Sequence, residues 1–316
     1  MKITVLDGFS SKPGNMTWAK ISSIGEFTGY ERTDSKNVME RSKNSEILLT
    51  DKTILDKYTL LKLPELKYIG VLATGYNVVD LKQAALQHIT VTNIPAYSTS
   101  SVAQFVFAHI FNITNRVALH SESVKKGDWC SSKNFSYHLT PQTEIANKTF
   151  GIAGLGHIGM KVAEIANTFD MKVIALTSKK ELPSFIKSVT KNELFRQSDF
   201  LSLHCPLTDD TENFVNKETL SLMKNTSVLI NTGRGPLVNE TDLAYALNNN
   251  IISAAGIDVL SKEPADKNNP LLNAKNCFIT PHIAWATSEA KARLLDIAYD
   301  NIKNFLDDHP INTVHA

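Results

Sequence analysis

Thr149-Phe150-Gly151-Ile152-Ala153, running directly into Gly154-Leu155-Gly156-His157-Ile158-Gly159, is the stretch that decides how this chain folds. The first five residues are mostly apolar and too few for an ordinary helix, so they read as a strand buried in a sheet. Gly154 permits a tight turn, Gly156 lets the backbone approach a pyrophosphate, and Gly159 lets a helix pack close to the sheet. Met160-Lys161-Val162-Ala163-Glu164-Ile165-Ala166 reads as that helix. Its first amides and the positive end of its dipole face the turn, which suits an anionic phosphate. Strand, glycine turn and helix in this order predict a dinucleotide-binding fold.

Working outward, residues 172–176, 200–204, 227–231, 254–259 and 277–280 are short apolar runs typical of buried parallel strands. Upstream, residues 3–6, 47–50, 68–73 and 89–93 read as strands, with helices over 53–61 and 79–87. An entire βα domain therefore precedes the glycine turn. Pro95 then interrupts the pattern, and Ser98-Thr99-Ser100-Ser101 offers N-cap hydroxyls. Val102, Phe105, Val106, His109, Ile110, Ile113 and Val117 recur at helical spacing, predicting one long helix buried between two lobes. Residues 287–306 are helical by period and start beyond the last strand, so they are expected to return to the first lobe.

The expected architecture is α/β with two domains. A Rossmann-type doubly wound parallel sheet, residues 98–287, is inserted into a smaller flavodoxin-like βα domain made of residues 1–97 and 288–316. The inserted part is the expected dinucleotide-binding domain, and the discontinuous part the expected substrate-binding domain.

A chain of 316 residues, 42% hydrophobic, has room for two such cores. A formal charge of +1 provides no broad attraction for nucleic acid or an anionic membrane. Cys130, Cys205 and Cys277 are odd in number and lack C-x-x-C spacing, which suits reduced thiols rather than a disulfide frame or metal site. Met1-Lys2-Ile3-Thr4-Val5-Leu6-Asp7 enters a strand without a signal-peptide layout, and no apolar run approaches the ~20 residues that span a bilayer. A cytoplasmic protein acting on a small molecule is expected, with neither nucleic acid, membrane nor metal as partner.

Ligands of open parallel sheets bind beyond the carboxyl ends of the strands. Three late strands end in chemistry-bearing residues: one leads into Thr232-Gly233-Arg234-Gly235, one through Gly256-Ile257-Asp258-Val259 towards Glu263-Pro264, and one into Pro281-His282-Ile283-Ala284-Trp285. Taken singly, such an arginine is usually solvated, such a glutamate lies on the surface, and such a histidine is structural. Together, behind a nucleotide motif, their types suit reduction of a 2-keto acid. Arg holds a carboxylate and a developing alkoxide with two parallel hydrogen bonds, where Lys offers a point charge. His donates a proton near neutral pH, and a neighbouring carboxylate holds its ring and favours the charged form.

This ordered set resembles the D-isomer-specific 2-hydroxyacid dehydrogenase family, along essentially the whole chain. The resemblance implies Arg234, Glu263 and His282 as the catalytic set, with Arg234 and His282 also touching substrate and cofactor. It implies Asp258 on the nicotinamide side, His157, Ile158, Thr232 and Gly233 as nucleotide contacts, and Ala73-Thr74-Gly75-Tyr76 as the loop whose amides grip the substrate carboxylate. Within the family, Ala73 to Asp80, Gly127-Asp128-Trp129 and His282 to Ala286 are most similar to the glycerate dehydrogenases, also called hydroxypyruvate reductases. Trp285 is then a cofactor neighbour or a packing residue. A homodimer built on the helix after Ser101 is a family-level expectation. The same fold serves some relatives as a nicotinamide-binding sensor or corepressor, the alternative from a different class.

One departure concerns the cofactor. NAD-selective folds place an acid about 20 residues past the motif, at the end of the second strand. Here that strand ends in Thr177-Ser178-Lys179-Lys180, which predicts that NADP(H) is accepted beside NAD(H). His204 is expected at the adenosine end of the site, and Lys52, near the end of an N-terminal strand, reads as a solvated lysine, with contact to the substrate carboxylate as the alternative. His109 and His157 read as packing or cofactor-contact residues rather than acids.

Overall fold

The computed structural model describes residues 1–8 and 18–315. The chain divides into two compact units, Met1–Ser98 with Ala286–Ala316, and Thr99–Trp285.

In the first unit, β1 (Lys2–Val5), β2 (Glu26–Gly29), β3 (Ile47–Thr50), β4 (Tyr68–Val71) and β5 (Thr90–Thr92) form a wholly parallel sheet ordered β2-β1-β3-β4-β5. This is the flavodoxin-like order. The inner strands β3 and β4 are buried along their whole length, which is why they read as unbroken apolar runs. β2 is a mostly exposed edge strand, and its Glu-Phe-Thr-Gly sequence has no clear strand signal.

The helices of this unit are shorter than their sequence pattern suggests. Residues 51–53 are held by Asp7, whose carboxylate accepts the amides of Asp51, Lys52 and Thr53 at 2.8, 2.6 and 2.6 Å. Leu55 pairs with Val79, so the helix begins only at Lys57, capped by Asp56. Asp80 likewise caps Leu81–Leu86. Helix Ser288–Leu306, capped by Thr287, packs in this unit: Asn301 Nδ2 donates to Asn93 O at 2.9 Å, and Phe305 lies 4.9 Å from the Tyr68 ring.

The second unit holds β6 (Thr149–Ala153), β7 (Lys172–Leu176), β8 (Ile186–Ser188), β9 (Phe200–Leu203), β10 (Val228–Asn231), β11 (Ala254–Ile257) and β12 (Cys277–Ile279). All are parallel, in the order β12-β11-β10-β9-β6-β7-β8. The order reverses between β6 and β9, the switch point beyond whose carboxyl ends a ligand belongs. One face of the sheet is covered by Phe107, Ile110, Val162 and Ala163. The other is covered by Leu194, Phe195, Leu243 and Leu247.

The single long helix expected up to Val117 is in fact two. Helix Thr99–Asn115 stops where Arg116 takes a left-handed conformation, φ 50°, and Val117–Lys125 starts as a separate helix. The buried side of the first helix packs on helix His157–Thr168 and on β10 and β11. Among the described residues no helix is long and apolar enough to cross a membrane, and no cluster of His, Cys, Asp or Glu could hold a metal ion. Cys130, Cys205 and Cys277 are unbonded.

Candidate active site

The glycine turn joins three strand ends. Gly154 N donates to Leu176 O at 3.0 Å and His204 N to Ala153 O at 2.7 Å, so β7 and β9 both end against it. Each glycine is needed for a different reason. Gly154 has φ +92°, and a Cβ there would sit 2.6 Å from Cys205 N. A Cβ on Gly159 would overlap the Gly154 carbonyl, so helix and turn touch through it. A Cβ on Gly156 would meet nothing within 4 Å. Its open side therefore faces away from the protein, at the N-cap of helix His157–Thr168. That is a cradle for an anion: close backbone approach, and helix amides aimed outward.

Around the cradle, His157 and Ile158 open the helix. Thr177 Oγ1 accepts Lys179 N at 3.2 Å, folding residues 177–179 into a turn just past β7, with Ser178, Lys179 and Lys180 exposed. The Nε2 of His204 is 2.8 Å from Ser202 Oγ, and burial pushes this imidazole down to about 4, so it is neutral at physiological pH. Thr232 is buried and its Oγ1 has no hydrogen-bond partner. An orphaned hydroxyl just past the carboxyl end of β10 fits a polar ligand. The residues present therefore fit a nicotinamide dinucleotide.

The catalytic candidates converge at the carboxyl ends of β10, β11 and β12. Asn231, fully buried at the end of β10, donates its Nδ2 to Arg234 O at 2.9 Å and accepts Gly233 N at 3.0 Å. These two bonds fix the turn that presents Arg234, whose Nη1 donates to Gly233 O at 2.8 Å. A Cβ on Gly235 would strike the Leu260 backbone, so this turn presses directly on the loop after β11. Glu240 anchors that loop by accepting Ser261 N at 2.7 Å and Asn269 Nδ2 at 2.8 Å. Glu263 then accepts Leu260 N at 3.0 Å through Oε1, and its Oε2 lies 2.7 Å from His282 Nδ1. Arg234, Glu263 and His282 line one hollow together.

His282 itself is held from behind. Asp258, 1% exposed, accepts Thr280 Oγ1 at 2.6 Å, Ile283 N at 3.0 Å and Ala284 N at 2.8 Å, and its carbonyl accepts His282 N at 2.8 Å. The loop so wrapped puts His282 in the left-handed region, φ 56°. Trp285 Nε1 donates to His282 O at 2.9 Å, which makes Trp285 a brace of the histidine.

Ala73, Thr74, Gly75 and Tyr76 follow β4 in the first unit. Thr74 Oγ1 donates to Ile94 O at 2.9 Å, and Asn93 Nδ2 to Thr74 O at 2.8 Å, which pins the loop at its centre. Lys52 stands in the same unit, with Nζ 3.6 Å from Asp51 and its side chain largely exposed.

Sequence reading missed Asn231, Glu240 and Thr280. A buried polar residue closing an otherwise apolar strand was the available signal for Asn231. Nothing in the pattern distinguishes Glu240 from other acids in the first turn of a helix.

The model of the D-isomer specific 2-hydroxyacid dehydrogenase NAD binding domain matches residues 107–284. The chain is 42% identical over 322 residues to the hydroxypyruvate reductase of Blautia hydrogenotrophica, covering 100% of both. It is 39% identical over 294 residues to the glycerate dehydrogenase of Methylorubrum extorquens, covering 92% of both. Among solved structures, an acyclic imino acid reductase in complex with NADPH and D-Arg superposes with a TM-score of 0.87 at 35% identity, over 99% of this chain and 100% of that one. The chain belongs to the D-isomer specific 2-hydroxyacid dehydrogenase family. It is an oxidoreductase that interconverts a 2-keto acid and a D-2-hydroxy acid with a nicotinamide cofactor.

Proposed function

We propose that this enzyme reduces hydroxypyruvate to D-glycerate, with glyoxylate as a second substrate giving glycolate. The observation that carries the assignment is the Glu263–His282 pair at 2.7 Å, sharing one hollow with Arg234. The bound cofactor supplies the hydride, or takes it up in the reverse direction. Arg234 binds and polarises the keto acid, because a planar guanidinium pairs with carboxylate and carbonyl oxygens at once. His282 uses Nδ1 towards Glu263, which leaves Nε2 to deliver the proton to the nascent alkoxide. Glu263 fixes the orientation of the ring through Nδ1. The 73–76 backbone is assigned to the substrate carboxylate on family resemblance. Relatives named hydroxypyruvate reductase and glycerate dehydrogenase support the substrate class.

The cofactor assignment has a finer part. His157, Ile158, Thr232 and Gly233 are assigned to the dinucleotide with the three glycines, Asp258 and Trp285 to its nicotinamide side, and His204 to its adenosine side. Thr177, Ser178 and Lys179 are assigned to the ribose end, where hydroxyls and a cation accept a 2′-phosphate that a carboxylate would repel. NADPH is therefore a substrate, and the imino acid reductase bound to NADPH supports the reading. A homodimer is assigned to the surface after helix Thr99–Asn115, where Val117, Leu119, Val124, Trp129 and Phe135 are exposed. The unbonded cysteines suit a reducing cytoplasm.

Steady-state kcat/KM for hydroxypyruvate, glyoxylate, pyruvate, a branched 2-keto acid and a cyclisation-incapable imino acid, each with NADH and NADPH, tests the proposal. Hydroxypyruvate is expected to lead. A preference for the branched or imino substrate overturns the assignment, and dinucleotide binding without any turnover would return the sensor reading.

A further inference from the structure

His109 lies in the middle of helix Thr99–Asn115, buried at 5% exposure, and plays no part in the chemistry above. Its Nε2 is 3.2 Å from Thr280 Oγ1, the same oxygen that lies 2.6 Å from Asp258 Oδ1. The direction of this chain follows from donor counting. A hydroxyl carries one hydrogen, and a carboxylate only accepts. Thr280 therefore donates to Asp258 and must accept from His109, which fixes the imidazole with its proton on Nε2. Burial lowers the tendency of His109 to take a second proton, so the ring is neutral in this role.

The site is built for this ring. β11 carries glycine at 256, where a Cβ would come within 2.8 Å of the His109 ring carbon and 2.9 Å of its Nδ1. Phe105, one turn earlier, meets the ring edge-on at 5.2 Å. With its edges fixed by packing, His109 presents one nitrogen to Thr280. Asp258 in turn holds the Ile283 and Ala284 amides and, through its carbonyl, the His282 amide.

We propose that His109 is a positioning residue for His282, acting through Thr280 and Asp258 on the loop that carries the proton donor. The proposal rests on the assignment of His282 as that donor. His109 orients the Thr280 hydroxyl, the hydroxyl fixes one carboxylate oxygen of Asp258, and the carboxylate fixes the Ile283 and Ala284 amides directly after the imidazole. A chain of this kind sets the angle at which Nε2 of His282 meets substrate, so it governs turnover more than affinity.

The test uses the full-length enzyme with H109F, H109Q, T280V, T280S and the double variant H109F/T280V. H109F is expected to lower kcat for hydroxypyruvate about tenfold, of the order of one lost hydrogen bond, with KM values within about twofold. H109Q keeps an N–H donor and is expected to recover most of the loss, as T280S does for T280V. The double variant is expected to be no worse than T280V, because the chain is already cut. A readout independent of turnover is amide hydrogen exchange over residues 281–285 in the enzyme without ligands, expected to be faster in H109F and T280V. Additive losses, an H109Q as slow as H109F, or unchanged exchange overturns the proposal. Should H109F fail to fold, T280V against T280S decides the matter from the strand end. H282Q is the control: if it retains full activity, the proton-donor assignment fails, whereas a dead H282Q with normal H109F and T280V removes only the role of His109.

Discussion

Glu263 Oε2 and His282 Nδ1 stand 2.7 Å apart, in the loops after two strands that neighbour each other in the sheet, though nineteen positions separate the residues in sequence. In the proposed reduction His282 gives up its proton from Nε2, and a carboxylate on Nδ1 holds the ring at the angle this needs. In Glu263→Gln a hydrogen bond to Nδ1 can remain but the negative charge is gone, and in Glu263→Ala the hold is lost altogether. We expect kcat/KM for hydroxypyruvate reduction to fall roughly tenfold or more in the Gln variant and further in the Ala variant, with the Kd for NADH little changed. A Gln variant with normal kcat/KM removes the role of the charge.

Arg234 is expected to behave as an anchor and an electrophile together. Arg234→Ala should lower kcat/KM roughly 10²- to 10³-fold, the scale seen when a preorganised donor to a developing oxyanion is lost. Arg234→Lys keeps charge but loses the second parallel hydrogen bond, and should recover only part of the loss. Because Asn231 and Gly235 fix the turn through the backbone, both variants are expected to fold with unchanged Tm. A fully active Lys variant would falsify the two-pronged contact.

The sequence made the sheets legible because their inner strands are buried on both sides and so read as apolar runs, as at Ile47–Thr50 and Val228–Asn231. It hid β2 and β8, edge strands with exposed polar residues, since nothing forces such strands to be apolar. Arg234, Glu263 and His282 were legible because each follows an apolar strand and each has a distinctive chemistry. Their supports were not. Glu240 and Thr280 act by hydrogen bonds to residues more than twenty positions away, which no local pattern encodes, whereas Asn231 holds the Gly233 amide and the Arg234 carbonyl just beyond it, from the end of a strand whose pattern is otherwise apolar. The break at Arg116 was invisible for a related reason: apolar spacing continues across it to Val117, although Val117 is exposed.

The end of β7 yields a prediction on cofactor choice. Thr177→Asp places a carboxylate where its oxygen can still accept Lys179 N, so the turn survives. The new charge faces the region assigned to the 2′-phosphate. We expect kcat/KM with NADPH to fall about tenfold or more, while NADH is little changed or improved. Equal effects on both cofactors would place the 2′-phosphate elsewhere.

His204 makes a prediction about stability in acid. Burial holds its folded-state value at about 4, against an ordinary value near 6.5. The unfolded chain therefore binds a proton that the folded chain refuses. Its penalty is absent above pH ~6.5 and grows as pH falls towards 4, reaching about 3 kcal/mol at most. His204→Asn keeps a polar group facing Ser202 and cannot take up a proton. Urea unfolding at pH 7 and at pH 5 is expected to show a smaller loss between the two pH values in the Asn variant. A loss equal to that of the unaltered enzyme removes His204 as a source of acid sensitivity.

The glycine turn separates folding from binding, because its three members fail in different ways. Gly154→Ala adds a Cβ at φ +92° against the Cys205 backbone, where neither side can give, so the expected cost is at least 1–3 kcal/mol with a lower Tm. Gly159→Ala drives the helix from the turn, because the obstacle is the Gly154 carbonyl, and both stability and binding are expected to suffer. Gly156→Ala meets no protein atom within 4 Å, and alanine is permitted at its φ of −74°. Its Tm is expected to stay within about 2 °C of the unaltered enzyme, since nothing in the fold registers the change. The methyl stands instead where the proposed site has a pyrophosphate approach the backbone, so the Kd for NADH and NADPH, read by fluorescence titration, is expected to rise tenfold or more. A Gly156→Ala enzyme that is stable and binds both cofactors normally would move the dinucleotide away from this turn, and with it the placing of every residue assigned around it.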